Sequence, residues 1–169
     1  KPMEDAVIKR RKQLNKYAYS LGHYKSDNCE ADDVVSIWAQ EYLYLGLHFV
    51  IAHIDKDIDM VEGWHWNFTK KELYYMDELE AWRHMCVQML TGDKSVDNIQ
   101  GLHGIGPKKA EKILLNLPKD GMIVAVKEAW ENHHPDEDWL AMLTVCWNLI
   151  YMRRKWTDFR KLELDEVFL

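Results

Sequence analysis

One short segment, LHGIGPKKAEKIL at residues 102–114, restricts the fold more than any other part of the chain. Two glycines there flank a single apolar residue, and a side chain at either glycine would obstruct so tight a turn. Ile105, between them, can anchor the turn in a hydrophobic core. Pro107 suits the first position of a helix, and Ala110 allows that helix to pack closely against the preceding one. We therefore predict a hairpin turn between two helices, with the second helix ending at Asn116.

This segment has the spacing of the helix–hairpin–helix motif, which binds nucleic-acid backbones without reading their sequence. Exposed backbone N–H groups just before a helix attract phosphate, and the neighbouring lysines add positive charge. The predicted DNA-binding residues are Gly104, Ile105, Gly106, Lys108, Lys109 and Lys112. The alternative is an ordinary helical corner with surface lysines, which would bind no phosphate.

Three groups of acidic residues precede the hairpin. They are Glu30, Asp32 and Asp33; Asp55 and Asp57; and Asp93 and Asp97. The first group opens a predicted helix, where residues three apart share a face. The second follows a predicted strand over 47–54, where residues two apart share a face. Helix capping or a solvated turn explains each group alone, but together they would repel one another unless divalent cations neutralised them.

The chemistry of these side chains indicates which cation they would hold. Carboxylate oxygens suit Mg²⁺ or Mn²⁺ better than Zn²⁺. Two such ions about 4 Å apart form the usual site for displacement at a phosphodiester. We therefore predict that the acidic groups hold metal and that the hairpin holds the nucleic-acid backbone nearby.

Composition limits the remaining possibilities. The chain has 169 residues, a net charge of −6 and 47% hydrophobic residues, which is typical of a globular domain. An acidic protein does not coat nucleic acid non-specifically, so phosphate contacts must come from a local basic patch. Cys29, Cys86 and Cys146 lack the spacing of metal ligands, which favours a reducing compartment. No apolar run reaches the length of a membrane span.

Hydrophobic periodicity predicts a mainly helical chain with few strands. Helices are expected over 2–21, 29–46, 77–92, 107–116, 119–134 and 136–156, and short strands over 47–54, 64–68 and 72–76. In the first helix we expect an apolar stripe formed by Val7, Leu14, Ala18 and Leu21. We expect His53 to be structural or exposed and Asp59 to be solvated.

The stretches CEADDVV, VIAHIDKDIDMV and GDKSVDNIQGLHGIGPKKAEKIL, in this order, resemble the structure-specific 5′ nuclease (flap endonuclease) superfamily. Within it they are most similar to bacteriophage 5′–3′ exonucleases and the 5′ nuclease domain of bacterial DNA polymerase I. The resemblance implies an α/β fold, here the mainly helical C-terminal portion, with the N-terminal strands of that fold missing. It implies a nuclease core over 1–91 and a helix–hairpin–helix region with C-terminal helices over 92–169.

The resemblance also implies roles for the acidic residues. Glu30, Asp32 and Asp33 match ligands mainly of the first, catalytic metal, and Asp55 and Asp57 match a further catalytic pair that serves the second metal. Two further acids, Asp93 and Asp97, match ligands of the second metal, although they are four residues apart where the family usually has three. The family often holds a K⁺ ion at the hairpin as well. The opening basic helix would correspond to the end of the family's arch.

The expected activity is divalent-metal-dependent hydrolysis of duplex DNA at 5′ ends, nicks or flaps, or of RNA–DNA hybrids. We expect a monomer without membrane contact that works in the cytoplasm, near the nucleoid, or in the host cytoplasm for a viral protein. One alternative is a non-catalytic helix–hairpin–helix DNA-binding module. Another is a ribonuclease of a related nuclease fold.

Overall fold

The computed structural model describes residues 2–22, 24, 29–93, 98–135 and 138–157. Within these ranges the chain forms six α-helices, one 3₁₀ helix and five short strands. The helices are α1 (Pro2–Ser20), α2 (Ala31–Tyr44), the 3₁₀ helix (Lys56–Met60), α3 (Glu78–Thr91), α4 (Pro107–Ile113), α5 (Lys119–His133) and α6 (Trp139–Ile150). The strands are β1 (Val50–His53), β2 (Gly63–Asn67), β3 (Glu72–Met76), β4 (Gly92–Asp93) and β5 (Ile99–Gln100). The predicted class, mainly helical with few strands, is confirmed.

Aspartates define the start of two helices. The Asp77 carboxylate accepts a hydrogen bond from the Glu80 N–H at 2.8 Å and caps α3. The Asp138 carboxylate caps α6 in the same way through the Ala141 N–H at 3.1 Å. Such caps satisfy N–H groups that lack a partner within the helix, and each contributes about 1 kcal/mol. All six helices were predicted from the sequence, with their ends shifted by a few residues.

Three of the strands form one mixed sheet in the order β1–β2–β3. β1 pairs with β2 in parallel, and β2 pairs with β3 in antiparallel orientation. The two strands predicted over 64–68 and 72–76 are therefore confirmed as a hairpin. The link from β1 to β2 is much shorter than a usual parallel crossover. The link spans only residues 54–62, and the 3₁₀ helix occupies most of it.

The larger hydrophobic core surrounds α3, with α4, α5 and α6 packed against it. Met85, Met89 and Leu90 supply its centre, and each large apolar side chain buried in this way contributes about 1.5–3 kcal/mol. Trp130 also lies in the core and donates a hydrogen bond to the Met89 carbonyl at 3.2 Å. Residues on both sides of position 91 share this core, and the division at 91/92 stays a prediction.

A smaller hydrophobic cluster joins α2, β1 and the 3₁₀ helix. Ala39 packs with Ile51 and Ile58, and Val61 completes the cluster. The exposed fraction of each of these side chains is below a tenth. This packing fixes α2 against the 3₁₀ helix, so the acidic residues of both elements are held near one another.

α1 forms as predicted, but its apolar stripe is not buried. Val7, Leu14 and Leu21 are each about 60% exposed or more. Periodicity predicts a helix but not the surface that will cover it, and none of the other described elements packs extensively against α1. No helix among the described residues combines the length and apolar character that crossing a bilayer requires.

Candidate active site and nucleic-acid interface

Carboxylates from two separate stretches line a single pocket of about 390 Å³. They are Glu30, Asp32, Asp33 and Asp57. Glu30 immediately precedes α2, and the next two acids occupy its first turn. Residues 149–152, at the end of α6, form another part of the wall. The fold thus brings together acids that are more than twenty residues apart in sequence, and we call this the acid pocket.

Asp33 is the most deeply buried member of the acid pocket, with 1% of its surface exposed. Its Oδ1 accepts a hydrogen bond from the backbone N–H of Arg153 at 3.0 Å, and the Arg153 Nε lies 3.5 Å from Oδ2. A buried carboxylate is costly unless it is paired, and Arg153 provides that pairing. Asp33 therefore also fixes the segment after α6 to the start of α2.

The second acidic group lies on the 3₁₀ helix rather than on a strand. β1 ends at His53, and the Asp55 carboxylate caps the 3₁₀ helix by accepting a hydrogen bond from the Asp57 N–H at 3.0 Å. The expectation that both acids share one face of a strand is therefore wrong. An aspartate readily closes such a turn because its side chain competes with strand pairing. Asp57 faces the acid pocket, whereas Asp55 is exposed.

Like charges crowd the acid pocket. Burial raises the pKa of Asp32, and the surrounding carboxylates of both groups raise it further. Burial likewise raises the pKa of Asp57, while the ammonium of Lys56 opposes this effect. Desolvation and like charge both disfavour the ionised carboxylate, so the pocket favours the entry of a cation.

Asp93 connects to the acid pocket through Lys56. Asp93 is 3% exposed, and its Oδ2 accepts a hydrogen bond from the Lys56 ammonium. The same ammonium lies 4.0 Å from Asp57 Oδ1, and the hydrogen bond to Asp93 raises the pKa of Lys56. One lysine thus pairs with two of the predicted metal ligands. Asp97 lies outside the described residues, and its ligand role stays a prediction.

A close backbone crossing holds Asp93 in place. β4 and β5 pair in antiparallel orientation, with Asp93 opposite Ile99. A Cβ atom on Gly92 would overlap the backbone N of Gly101, and a Cβ atom on Gly101 would overlap the backbone of Thr91. Gly92 also has a φ of +66°, which favours glycine. The two glycines around this loop are therefore required by backbone packing.

The donors of the acid pocket fit a hard divalent cation. Every acidic side chain that lines the pocket offers carboxylate oxygens, the ligands that Mg²⁺ and Mn²⁺ prefer. Gln88 adds an amide oxygen: its Nε2 donates to Asp57 Oδ1 at 3.0 Å, while its buried Oε1 has no hydrogen-bond partner within the described ranges. A buried carbonyl oxygen without a donor is costly. A bound cation would satisfy it.

The hairpin has the predicted geometry. Ile105 is 5% exposed and Ala110 is fully buried, whereas Gly104 and Gly106 are exposed beside the exposed side chains of the three predicted lysines. Gly104 has a φ of +73°, which favours glycine. Gly106 has an ordinary φ, and a Cβ atom there would meet nothing within 4 Å. Steric packing therefore does not require the glycine at position 106, which stands at the N-cap of α4.

Two residues outside the predicted site have specific contacts. Asp59 was expected to be solvated, but its side chain is 23% exposed and accepts a hydrogen bond from the Tyr74 hydroxyl at 2.5 Å. His53 is 8% exposed and contacts His65 through its ring. Asp59 is therefore only partly solvated, because the Tyr74 hydroxyl of β3 reaches its carboxylate.

Sequence reasoning missed three residues of the site: Lys56, Gln88 and Arg153. Lys56 stands between two acids in the pattern DKD, a position that could have suggested its pairing role. Gln88 is the one polar residue in the apolar run MCVQML of α3, a signal for a polar group in a buried position. Arg153 gives no such signal, because its contact depends on how the end of α6 packs.

No protein-family model matches the chain. Among curated proteins, a DNA polymerase I from Rhizobium leguminosarum is 30% identical over 106 residues, covering 57% of this chain and 10% of that protein. A 5′–3′ exonuclease from Aquifex aeolicus is 31% identical over 117 residues, covering 60% of this chain and 37% of that protein. The chain thus spans well under half the length of these relatives.

Two solved structures share the fold. A bacteriophage T5 protein co-crystallised with metal ions has a TM-score of 0.59 at 17% identity, covering 89% of this chain and 68% of that one. A bacteriophage T5 flap endonuclease in a complex with DNA and metal ions has a TM-score of 0.55 at 17% identity, covering 87% and 65%. Together with the named relatives, they confirm the resemblance drawn from the motifs, which is to the structure-specific 5′ nuclease superfamily.

Proposed function

We propose that the chain is part of a divalent-metal-dependent nuclease that hydrolyses duplex DNA at 5′ ends, nicks or flaps. The observation that carries the proposal is the acid pocket: acids from α2 and the 3₁₀ helix converge there with the unpartnered Gln88 Oε1. The shared fold with proteins solved with metal ions and DNA supports it.

In this proposal the acid pocket holds Mg²⁺ or Mn²⁺, with two ions expected. Glu30, Asp32 and Asp57 act as oxygen ligands, while Asp33 combines a ligand role with its bond to Arg153. Bound ions of this kind activate water and stabilise the charge that develops at a phosphodiester. Asp55, Asp93 and Asp97 complete the proposed ligand set.

Lys56 has a defined role in the same proposal. Its ammonium pairs with Asp93 and lies near Asp57, so it reduces repulsion among the acids before a cation binds. An entering cation competes for those carboxylate oxygens, which releases Lys56 toward the exposed surface. A released ammonium beside the pocket would attract a phosphate of the substrate.

The hairpin supplies the DNA-binding part of the proposed function. Gly106 leaves the backbone uncovered although steric packing does not require a glycine there, and the exposed Lys108, Lys109 and Lys112 lie beside it. These features support contact with a DNA backbone at a fixed distance from the acid pocket. A K⁺ ion at the hairpin, a monomeric state and activity on RNA–DNA hybrids are parts of the proposal that rest on the family resemblance.

Cleavage of a 5′-labelled flap and a nicked duplex tests the proposal, with the purified chain and with its full-length natural form. We expect Mg²⁺-dependent cleavage that is abolished by chelation and by Asp57→Asn. Asp77→Asn is the matched control, because Asp77 is an exposed helix cap far in sequence from the acid pocket. Absence of cleavage by the full-length form on flap, nick and hybrid substrates would overturn it.

The runner-up is a non-catalytic DNA-binding module. One observation favours it: Asp33 and Asp93 already have protein partners in Arg153 and Lys56, as acids that only stabilise loops would. The same experiment separates the two functions. DNA binding that persists in the full-length form without cleavage, and that is unchanged by Asp57→Asn, identifies the module.

A further inference from the structure

A second polar cluster lies on the sheet, apart from the acid pocket. It is formed by His53 at the end of β1, Asp59 in the 3₁₀ helix, His65 in β2 and Tyr74 in β3. His65 is fully buried and His53 is 8% exposed. His53 Nε2 lies 2.8 Å from His65 Nδ1. We call these four residues the histidine cluster.

The hydrogen bonds on the outer side of each ring determine where the ring protons are. His53 Nδ1 lies 2.6 Å from the Asp55 carbonyl oxygen, and His65 Nε2 lies 2.8 Å from the Val61 carbonyl oxygen. A carbonyl only accepts, so both of these nitrogens carry a proton. A neutral imidazole has a single N–H. The two inner nitrogens of neutral rings would therefore face each other with lone pairs, and a cation must lie between them.

A carboxylate completes the set of donors. Asp59 Oδ1 lies 3.7 Å from His53 Nε2 and 3.9 Å from His65 Nδ1, so three donor atoms surround one point. The Tyr74 hydroxyl donates to the same oxygen at 2.5 Å and holds the carboxylate in position. Burial lowers the pKa of His65, which disfavours the protonated form of that ring.

We propose that the histidine cluster binds a divalent transition-metal ion of the Zn²⁺ type through His53 Nε2, His65 Nδ1 and Asp59 Oδ1. Two imidazoles and one carboxylate are ligands that zinc favours and magnesium does not. Metal-binding histidines typically donate the other ring N–H to a carbonyl or carboxylate, as both rings do here.

The geometry requires only a small adjustment. Ligand atoms about 2.0–2.1 Å from a tetrahedral zinc lie about 3.3 Å apart. The two ring nitrogens would therefore separate by about 0.5 Å from their present 2.8 Å, and the Asp59 oxygen would approach by a similar distance. The cluster adjoins a surface pocket that includes Asn67 and Glu72, which gives an ion a route of entry.

Such an ion would connect β1, the 3₁₀ helix and β2. Asp55 and Asp57 lie between two of its ligands in sequence, so the ion would fix the segment that carries Asp57 of the acid pocket. This role is structural, and it does not depend on the proposed nuclease activity.

Cobalt spectroscopy tests the proposal on the purified chain, with excess Mg²⁺ present to occupy carboxylate sites. We expect one equivalent of Co²⁺ to bind with the strong visible absorption of a four- or five-coordinate nitrogen–oxygen site, and Zn²⁺ to displace it. Asp59→Asn and His65→Gln should each weaken binding at least about tenfold, and Tyr74→Phe should weaken it less, since it removes an outer contact.

His103→Gln is the matched control, because His103 is exposed on the hairpin and outside the histidine cluster; it should bind cobalt like the unaltered chain. If His65→Gln fails to fold, Asp59→Asn decides, with its fold checked by circular dichroism. Zn²⁺ should raise the Tm of the unaltered chain and not that of Asp59→Asn. Absence of cobalt binding, or binding unchanged in Asp59→Asn, overturns the proposal; the cation between the rings is then a proton, which ¹⁵N NMR of the imidazoles would show.

Discussion

The acid pocket and the hairpin place opposite demands on the fold. In the acid pocket, crowded carboxylates repel one another, and Lys56 and Arg153 balance part of their charge. In the hairpin, exposed lysines and an unconstrained Gly106 cost the fold almost nothing. The comparison teaches that two kinds of residue indicate function. One kind destabilises the fold, as the repelling carboxylates do, and the other contributes nothing to its stability, as the exposed lysines do.

The largest effect is expected from a substitution in the acid pocket that lowers activity without lowering stability. Asp57→Asn should reduce Mg²⁺-dependent cleavage by about two orders of magnitude or more, because a neutral amide replaces a carboxylate ligand of the ion that stabilises the transition state. The Tm of the metal-free variant should stay unchanged or rise, since a repelling charge is gone. Cleavage rates and thermal melts of the same preparations check both. If both the Tm and the cleavage rate of the variant fell, Asp57 would stabilise the fold, which would contradict the view that the acid pocket opposes folding.

Gly101→Ala tests the backbone crossing that positions Asp93. A methyl group there overlaps the backbone of Thr91, so we expect a loss of about 1–3 kcal/mol in the free energy of unfolding. Urea denaturation measures it. Gly106→Ala serves as the control, because open space surrounds that position and the variant should lose much less stability, through the weaker N-cap of α4 alone. Equal stability of the two variants would show that the crossing is looser than described.

Replacing the hairpin lysines tests whether the hairpin contacts the phosphates of DNA. Lys108→Ala with Lys109→Ala should weaken duplex binding and reduce the slope of log affinity against log salt by about 0.9 for each phosphate that the protein no longer neutralises. Lys70→Ala is matched in charge and lies away from the hairpin, so it should leave the slope unchanged. Binding measured over a salt series decides, and an unchanged slope in the double variant would remove the hairpin from the interface.

Gly106→Ala should have a smaller effect on the same measurement. Its methyl group would stand between the protein backbone and an approaching phosphate, and we expect a several-fold loss of DNA affinity with little change in Tm. Full affinity in this variant would mean that the glycine has no role in close approach. The combination of normal folding and weaker binding would show that position 106 serves a partner rather than the fold.

The smallest effect concerns pH. The pKa values of Asp32 and Asp57 are raised in the folded chain, so the folded state binds protons more readily than the unfolded state. Their contribution to metal-free stability should therefore increase as pH falls from neutral toward their ordinary pKa of about 4. Urea titrations at several pH values test this. The increase in stability with falling pH should be smaller in Asp32→Asn and in the presence of Mg²⁺. If it is the same in both, other titrating groups cause it.

Local patterns in the sequence predicted much of this arrangement. The glycine hairpin, its buried Ile105 and the opening of α2 all depend on neighbouring residues, and they form as expected. The turn at Asp55 was predicted wrongly because a side-chain cap competes with strand extension over only a few residues. The ends of elements near polar residues are therefore the least predictable part of the fold.

Contacts between distant segments could not be read from the sequence. Arg153 meets Asp33 across 120 positions, and His53 meets His65 only because a short 3₁₀ link makes β1 and β2 parallel. The apolar stripe of α1 predicted the helix correctly, but it did not predict how far its residues are exposed, since periodicity carries no information about a partner surface. These features follow from tertiary packing, which no local pattern encodes.

The crossing of β4 and β5 has one more consequence. Asp93 lies on one side of it, and on the other side the Leu102 N–H donates to the Leu90 carbonyl at 2.9 Å, which ties the start of the hairpin to the end of α3. The strand pairing and this hydrogen bond therefore hold Asp93 and the start of the hairpin against the same end of α3. In the proposed nuclease, the separation of the acid pocket from the hairpin would set how many nucleotides lie between the cleaved bond and the bound backbone.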